Sequence, residues 1–344
     1  MDILGSHMSA EISEIPTVFS RLIKQQLNYQ SVVAEIKKSG IHNVLILARG
    51  TSDNAAHFLK YLIETQLGLP CGLTSPSSVT IYKSTLHFQG TLILAISQSG
   101  QSPDLVEYAN AAKSAGALII AFTNDATSPL ALLAHHHLDL MAGPELAVAA
   151  TKSYAAQLLL SYLLISVWAG NEINSDGILL ESTRLAALTN LVKEAVALVE
   201  AKREIVILGR GFSYPNAREA ALKIQETSKI SVQGLSTADY MHGPISALSD
   251  ETQVFIMAPQ GIPASSFGDS LARIRNSGPG IIWIGNGGTP IAGELVIEGA
   301  TIEDAAVSSI VDCIALQRFA MKFAIKNGFN PDQPVGLAKV TMTL

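Results

Sequence analysis

The sequence predicts an α/β protein made of two similar units, each a parallel sheet flanked by helices. Three observations predict it. Short apolar runs such as Val44–Ala48, Leu92–Ile96 and Ile205–Gly209 each empty into a polar turn and then a helical pattern, the alternation that calls for a parallel sheet. Arg49 and Arg210 stand 161 residues apart, as do Gly100 and Gly261, and Asn124 and Asn286 come within one residue of that offset. A constant offset through three strand–turn signals marks a duplication. Finally, 344 residues at 48% hydrophobic composition can close two cores of ordinary size.

Gly5-Ser6-His7-Met8 looks like vector-derived sequence, so residues 1–12 are expected to stand apart from the fold. Residues 13–39 then form one or two packing helices, with no basic stretch and apolar run ahead of them to make a signal peptide. The first domain is placed at 40–170. Val44–Ala48 is its first strand, and Asn54–Leu67 follows as a helix because Ala55, Phe58, Leu59, Leu62 and Ile63 share one face. After the strand Leu92–Ile96 comes the turn Ser97–Ser102 and another helix. Ser102 has the chemistry of an N-cap, Pro103 suits the first helical position, and Asp104 suits the positive helix end. Leu158–Trp168 is the most apolar stretch and too short to span a bilayer. Lys152, Gln157 and Asn171 flank it, so it is expected to be a buried helix. Residues 171–203 form a linker in which Gly170–Gly177 is turn-rich and Leu179–Lys202 is a connecting helix. The second domain, 204–344, repeats the scheme: strand Ile205–Gly209, turn Arg210–Ser213, helix Asn216–Ile230.

Bulk properties exclude several functions. A net charge of −6 with no basic run argues against nucleic-acid and anionic-membrane partners. Cys71 and Cys313 lie far apart, without ligand spacing, as suits a reducing cytoplasm. His135–His137 are adjacent in a strand pattern and point to alternate faces, so chelation is not expected. No phosphate-binding loop for a nucleoside triphosphate, dinucleotide fingerprint, zinc-protease helix or nucleophile elbow occurs. No metal and no cofactor are expected.

The polar turns Arg49–Ser52, Ser97–Ser102 and Asn124–Asp125 gather at strand ends, and two of them are rich in hydroxyls. Hydroxyls, free N–H groups and a helix N-terminus at a strand's carboxyl end form an anion site. Hydrogen bonds to a charged group contribute roughly 1.5–3 kcal/mol each, so four suffice for a metabolite phosphate. Glu219, Lys223 and Glu226 share one helix face. That spacing serves a surface salt-bridge ladder as well as a carboxylate moving a proton beside a carbonyl. His242, in Asp239-Tyr240-Met241-His242-Gly243-Pro244, sits in a loop, either as an ordinary residue or as a proton-transfer group.

Six strings in order resemble the sugar isomerase (SIS) superfamily: ARGTSDNAA (48–56), SQSGQSPD (97–104), AGPELAVAATKSYAAQ (142–157), LGRGFSYPNAREAALKIQE (208–226), DYMHGP (239–244) and DQPVGLAK (332–339). They are similar to the isomerase domain of glucosamine-6-phosphate synthase, with EISEIP (11–16) as its opening segment, and the C-terminus is similar to stand-alone SIS-type glucosamine-6-phosphate deaminases. The resemblance implies two tandem SIS domains, doubly wound and flavodoxin-like. It places phosphate binding on Ser52, Ser97, Gln98, Ser99 and Ser102, and a backbone contact to the sugar on Val148. It implies that Glu226 shuttles the proton, with Glu219 and Lys223 as helix neighbours. His242 would open the sugar ring in the partner subunit's site, so the family pattern implies a homodimer with sites at its interface, and Lys339 would close over the substrate. Two departures stand out: Asp239 replaces a glutamate and Arg49 a small residue. No glutaminase segment with its cysteine matches, so the expected reaction is glucosamine 6-phosphate plus water giving fructose 6-phosphate plus ammonia. A fructosamine-6-phosphate deglycase, a ketose/aldose isomerase and a non-catalytic phosphosugar-binding regulator are the alternatives.

Overall fold

The computed structural model describes residues 3–199, 204–261 and 266–339. The first half runs α1 (Ser6–Ile23), α2 (Gln26–Lys38), β1 (Asn43–Leu47), α3 (Thr51–Leu62), β2 (Cys71–Leu73), α4 (Ser77–Thr80), β3 (Thr91–Ile96), α5 (Pro103–Ser114), β4 (Leu118–Thr123), α6 (Pro129–Leu133), β5 (His136–Asp139) and α7 (Lys152–Ala169). The second half runs α8 (Ser175–Ala187), α9 (Lys193–Val199), β6 (Glu204–Gly209), α10 (Tyr214–Ser228), β7 (Val232–Ser236), α11 (Thr237–Tyr240), β8 (Thr252–Met257), α12 (Gly268–Asn276), β9 (Gly280–Ile284), β10 (Leu295–Ile297) and α13 (Ala305–Lys326).

Each half builds one five-stranded parallel sheet. The orders are β2-β1-β3-β4-β5 and β10-β9-β8-β6-β7, the same doubly wound, flavodoxin-like order written twice. The duplication seen in sequence is thus a duplication of topology. The central strands β3 and β8 are buried at every position, as covering both faces of a parallel sheet requires. In the second sheet the alternation is explicit. Ile205, Ile207, Phe255 and Ile282 pack with α9, α10 and α13, whereas Val206, Leu208, Ile256 and Trp283 pack on the other face. In the first sheet, Leu47, Ile93, Ala95, Ile119 and Ala121 pack with α5. α7 is buried from Lys152 to Ser166, as its apolar sequence predicts.

The chain divides into two compact units that are not contiguous in sequence. One holds Thr17–Pro144, Lys152–Ser175 and the described residues from Ala338 on; the other holds Asp176–Leu337, the residues up to Pro16, and Glu145–Thr151. Two expectations change. Ser6–Ala10 belong to α1 and do not stand apart from the fold: Met8 is fully buried, and the Met8 and His7 N–H groups donate to the Asp332 carboxylate at 2.8 and 3.1 Å. That carboxylate satisfies two orphan donors at the helix start. The connecting helix Leu179–Lys202 is in fact two helices, α8 and α9, broken at Leu188–Val192. Thr189 and Asn190 sit at the break, and both compete with the helix through local backbone bonds. Residues 200–203 of that expectation lie outside the described residues. Among the described residues no helix is long and apolar enough to cross a membrane.

Candidate active site

β1 and β3 are adjacent, with Leu47 beside Ala95, and the chain proceeds from them toward opposite edges of the sheet. That is the switch point at which a doubly wound sheet opens a crevice. Gly50, at φ +56°, turns the chain from β1 into α3 and places Ser52 in its first turn. β3 leads through Ser97–Ser102 into α5. The Ser52 hydroxyl accepts from Gln157 Nε2 at 2.9 Å, Ser97 Oγ from the Gly100 N–H at 3.1 Å, and Ser99 Oγ from the Gln101 N–H at 3.3 Å. None of the three donates to a protein group among the described residues.

Ser102 holds the extended N-cap backbone, yet its side chain caps nothing. The reason is local. Pro103 has no N–H, and the Leu105 N–H that a cap would use goes to Asp104 Oδ1 at 2.9 Å. The buried Asp104 also accepts from the half-exposed Arg49 through Nε at 2.9 Å, so Arg49 counters a carboxylate that would repel an anion at this edge. Gln98 is partly buried, and its carbonyl accepts from the Asn124 N–H at 3.0 Å. The third turn is committed to its own loops. Asn124 bonds Gly143 O and the Ala142 N–H, and Asp125 accepts from Thr127.

The second unit carries the ionisable cluster. Lys223 Nζ lies 2.5 Å from Glu226 Oε2 and 3.5 Å from Glu219 Oε1. The Lys223 and Glu219 side chains are 2% and 3% exposed and Glu226 is 21% exposed. This burial rules out a solvent-exposed ladder, which the spacing alone allowed. Burial works against the lysine charge, but Glu219, Glu226 and Glu145 outweigh it and raise the Lys223 pKa. The arrangement is a charged lysine clamped among carboxylates, of which Glu226 is the member that solvent reaches.

Val148 lies in the Glu145–Thr151 loop. Its N–H donates to Asp332 O at 3.0 Å, which leaves the carbonyl as the backbone group free to accept. The loop is held from several sides: Glu11 Oε1 accepts from the Leu146 and Ala147 N–H groups, Glu145 Oε1 from the Thr151 N–H at 3.0 Å, and Gln317 Nε2 donates to Thr151 O at 2.9 Å. His242 is exposed in the turn after α11, and its ring makes no hydrogen bond among the described residues. Lys339 is partly buried near the end of the described chain and belongs to the unit that holds the serine turns. The neighbouring histidines go to separate partners: His135 Nδ1 to the Ile119 N–H, His136 to Glu35, and His137 to Thr123.

Sequence reasoning missed Glu11, Gln157, Gln317 and Asp332 as supports. Gln157 had a signal, being an amide in the most apolar helix of the chain. Glu11 and Asp332 had none, because their partners lie 135 and 324 residues away.

Comparison with known proteins fits this geometry. A family model described as SIS domain matches residues 38–167 and 197–321. A glutamine–fructose-6-phosphate aminotransferase (isomerizing) of Pseudomonas aeruginosa is 31% identical over 96% of this chain and 58% of its own length. The chain therefore spans a little over half the length of such curated relatives. A Silicibacter pomeroyi protein provisionally assigned as a phosphosugar isomerase superposes with a TM-score of 0.86 at 31% identity, covering 96% of this chain and 100% of that one. A Thermotoga maritima glucosamine-6-phosphate deaminase shares the fold, with a TM-score of 0.78 at 21% identity over 98% of this chain and 100% of that one.

Proposed function

The chain belongs to the SIS-domain family, and from that premise we propose that it is a phosphosugar aldose–ketose isomerase working as a glucosamine-6-phosphate deaminase. The observation that carries the reading is the buried Lys223 with Glu226 at 2.5 Å. Perturbed, buried ionisable clusters concentrate at functional sites, and a pure phosphosugar sensor has no use for this one. Relatives named for fructose 6-phosphate chemistry support the substrate class.

The phosphate is assigned to the hydroxyls of Ser52, Ser97, Ser99 and Ser102, with Gln98 beside them. The Val148 carbonyl accepts from a sugar hydroxyl. His242 transfers the proton that opens the ring, giving the C1 aldehyde. Glu226 takes the proton from C2 and returns it to C1, which converts the 2-amino aldose to a C2 imine. Lys223 holds the Glu226 carboxylate through their ion pair, and Glu219 keeps Lys223 in place. Water adds to the imine at C2, ammonia leaves, and fructose 6-phosphate remains. Lys339 covers the bound sugar. The exposed His242, unengaged among the described residues, supports the further reading that it serves a second copy of this chain in a cytoplasmic homodimer.

The test is ammonia release from glucosamine 6-phosphate beside fructoselysine 6-phosphate. Ammonia from the first alone supports the deaminase. Release of lysine from the second makes the protein a deglycase, and binding without turnover of either substrate sinks the enzymatic reading.

A further inference from the structure

The serine turns share one hydrogen-bonding pattern. Ser52, Ser97 and Ser99 each accept from a protein N–H group and, among the described residues, donate to none. For Ser97 and Ser99 the N–H belongs to the backbone of the same turn. Ser52 differs, because its donor is the side chain of Gln157 on α7. Gln157 is fully buried and Ser52 is 7% exposed. Among the described residues, Gln157 Oε1 has no hydrogen-bond partner. The reversed amide would take the Ser52 proton on oxygen and carry the NH₂ to the position where Oε1 has no partner. Buried N–H groups go unpaired more rarely than buried carbonyls, so burial favours the observed orientation. A hydroxyl that already accepts has one proton left to give.

We propose that Gln157 is a positioning residue of the phosphate subsite: by donating to Ser52 Oγ it directs the Ser52 proton to the bound anion, so that this hydroxyl meets the anion as a donor and favours a phosphate dianion. This rests on the assignment of the serine turns to the substrate phosphate. A dianionic ester accepts at full strength on all three terminal oxygens, whereas a monoanion carries less charge and spends one oxygen on an O–H, so it is the poorer partner for these donated protons. The second phosphate ionisation lies at about pH 6, so affinity falls as the pH drops through that value.

A double-mutant cycle tests this. KM and kcat for glucosamine 6-phosphate, and the calorimetric Kd for inorganic phosphate, are measured for Gln157→Met, Ser52→Ala and the double variant. Methionine keeps the volume, suits the apolar helix and removes the donor. Gln157→Met is expected to raise both KM and the phosphate Kd by about tenfold, part of the strength of one charge-assisted bond, with kcat changing less. In the Ser52→Ala background the same substitution should add nothing. Equal effects in both backgrounds overturn the proposal, because Gln157 then acts through packing and not through the hydroxyl. Ser97→Ala separates the two levels of inference. If it raises KM while Gln157 and Ser52 fail to couple, only this proposal falls. If no serine substitution moves KM or the phosphate Kd, the phosphate assignment falls and this proposal with it.

Discussion

Glu226 and Lys223 lie three residues apart on one helix, yet the structure gives them different sensitivities. Glu226 is the solvent-reached member of the cluster, and Lys223 is enclosed between two carboxylates. Glu226→Gln keeps the shape and removes the base, so kcat is expected to fall by about 10²–10⁴. The melting temperature should fall less than when the lysine is removed, because the glutamine oxygen can still accept from Lys223 and Glu219 still pairs with it. Measuring kcat and melting temperature on the same preparation checks this, and a normal kcat would return Glu226 to a structural role. Lys223→Met should lower kcat as well, and it should destabilise far more. It leaves Glu219 and Glu226 facing each other without the ammonium, a cost of about 3–5 kcal/mol that a urea titration will read. The spacing of these residues was legible in the sequence. Their burial was not, since i, i+3 and i+4 positions define a face without saying what covers it. Ser102 shows the opposite error: its type and place were read correctly, but Asp104 had already taken the N–H it would have capped.

The duplicated strand–turn–helix elements diverged in the use of equivalent atoms. Ser52 and Ser213 stand at the same point of their halves, yet Ser213 Oγ bonds Arg210 N, Arg210 O and Met257 O. Its proton is committed within the protein, whereas that of Ser52 is not. The described part of the serine loop's second-half counterpart is filled as well. Gln260 donates its N–H to Ser308 Oγ, and a Cβ on Gly261 would meet Glu303 O at 1.9 Å. At Gln260 and Gly261 the second copy is therefore closed by the segment leading into α13. Ser52→Ala should raise KM with little change in melting temperature. Ser213→Ala should leave KM alone and destabilise by about 1–3 kcal/mol, because it strands buried backbone groups. Paired KM and unfolding measurements decide this, and a matching rise in KM for both variants would contradict the division. The sequence revealed the duplication through its offset. It did not reveal the break between α8 and α9, where weak helix formers sit inside an otherwise helical pattern.

At the scale of the molecule, stability should carry the signature of one buried acid. Asp312, on α13, is fully buried, and its pKa is pushed up to about 7 by burial, with the Ala300 N–H and Arg184 pulling it down and Glu181 pushing it up. Its Oδ1 accepts from the Ala300 N–H at 2.7 Å, Oδ2 has no hydrogen-bond partner among the described residues, and a Cβ on Gly299 would lie 2.5 Å from Oδ1. Burial and the neighbouring Glu181 outweigh the Ala300 N–H and Arg184. The folded-state pKa exceeds the unfolded value of 3.8, so between these two values the folded protein binds more protons than the unfolded one. The stability this group contributes is therefore complete below pH 3.8 and is lost as the pH rises to about 7. A shift of about three units corresponds to a loss on the order of 4 kcal/mol. Glu181 and Glu294, whose pKa values are lowered, act with the opposite sign and mask the trend in the wild type. The difference from Asp312→Asn isolates it, since asparagine keeps the acceptor for Ala300 and cannot ionise. The variant should gain on the wild type steadily from about pH 4 to pH 7 and hold a constant advantage above that range. Urea unfolding of both proteins across this range reads the difference directly. A pH-independent difference would mean that Asp312 is ionised throughout the folded state, held so by Arg184 in spite of its burial.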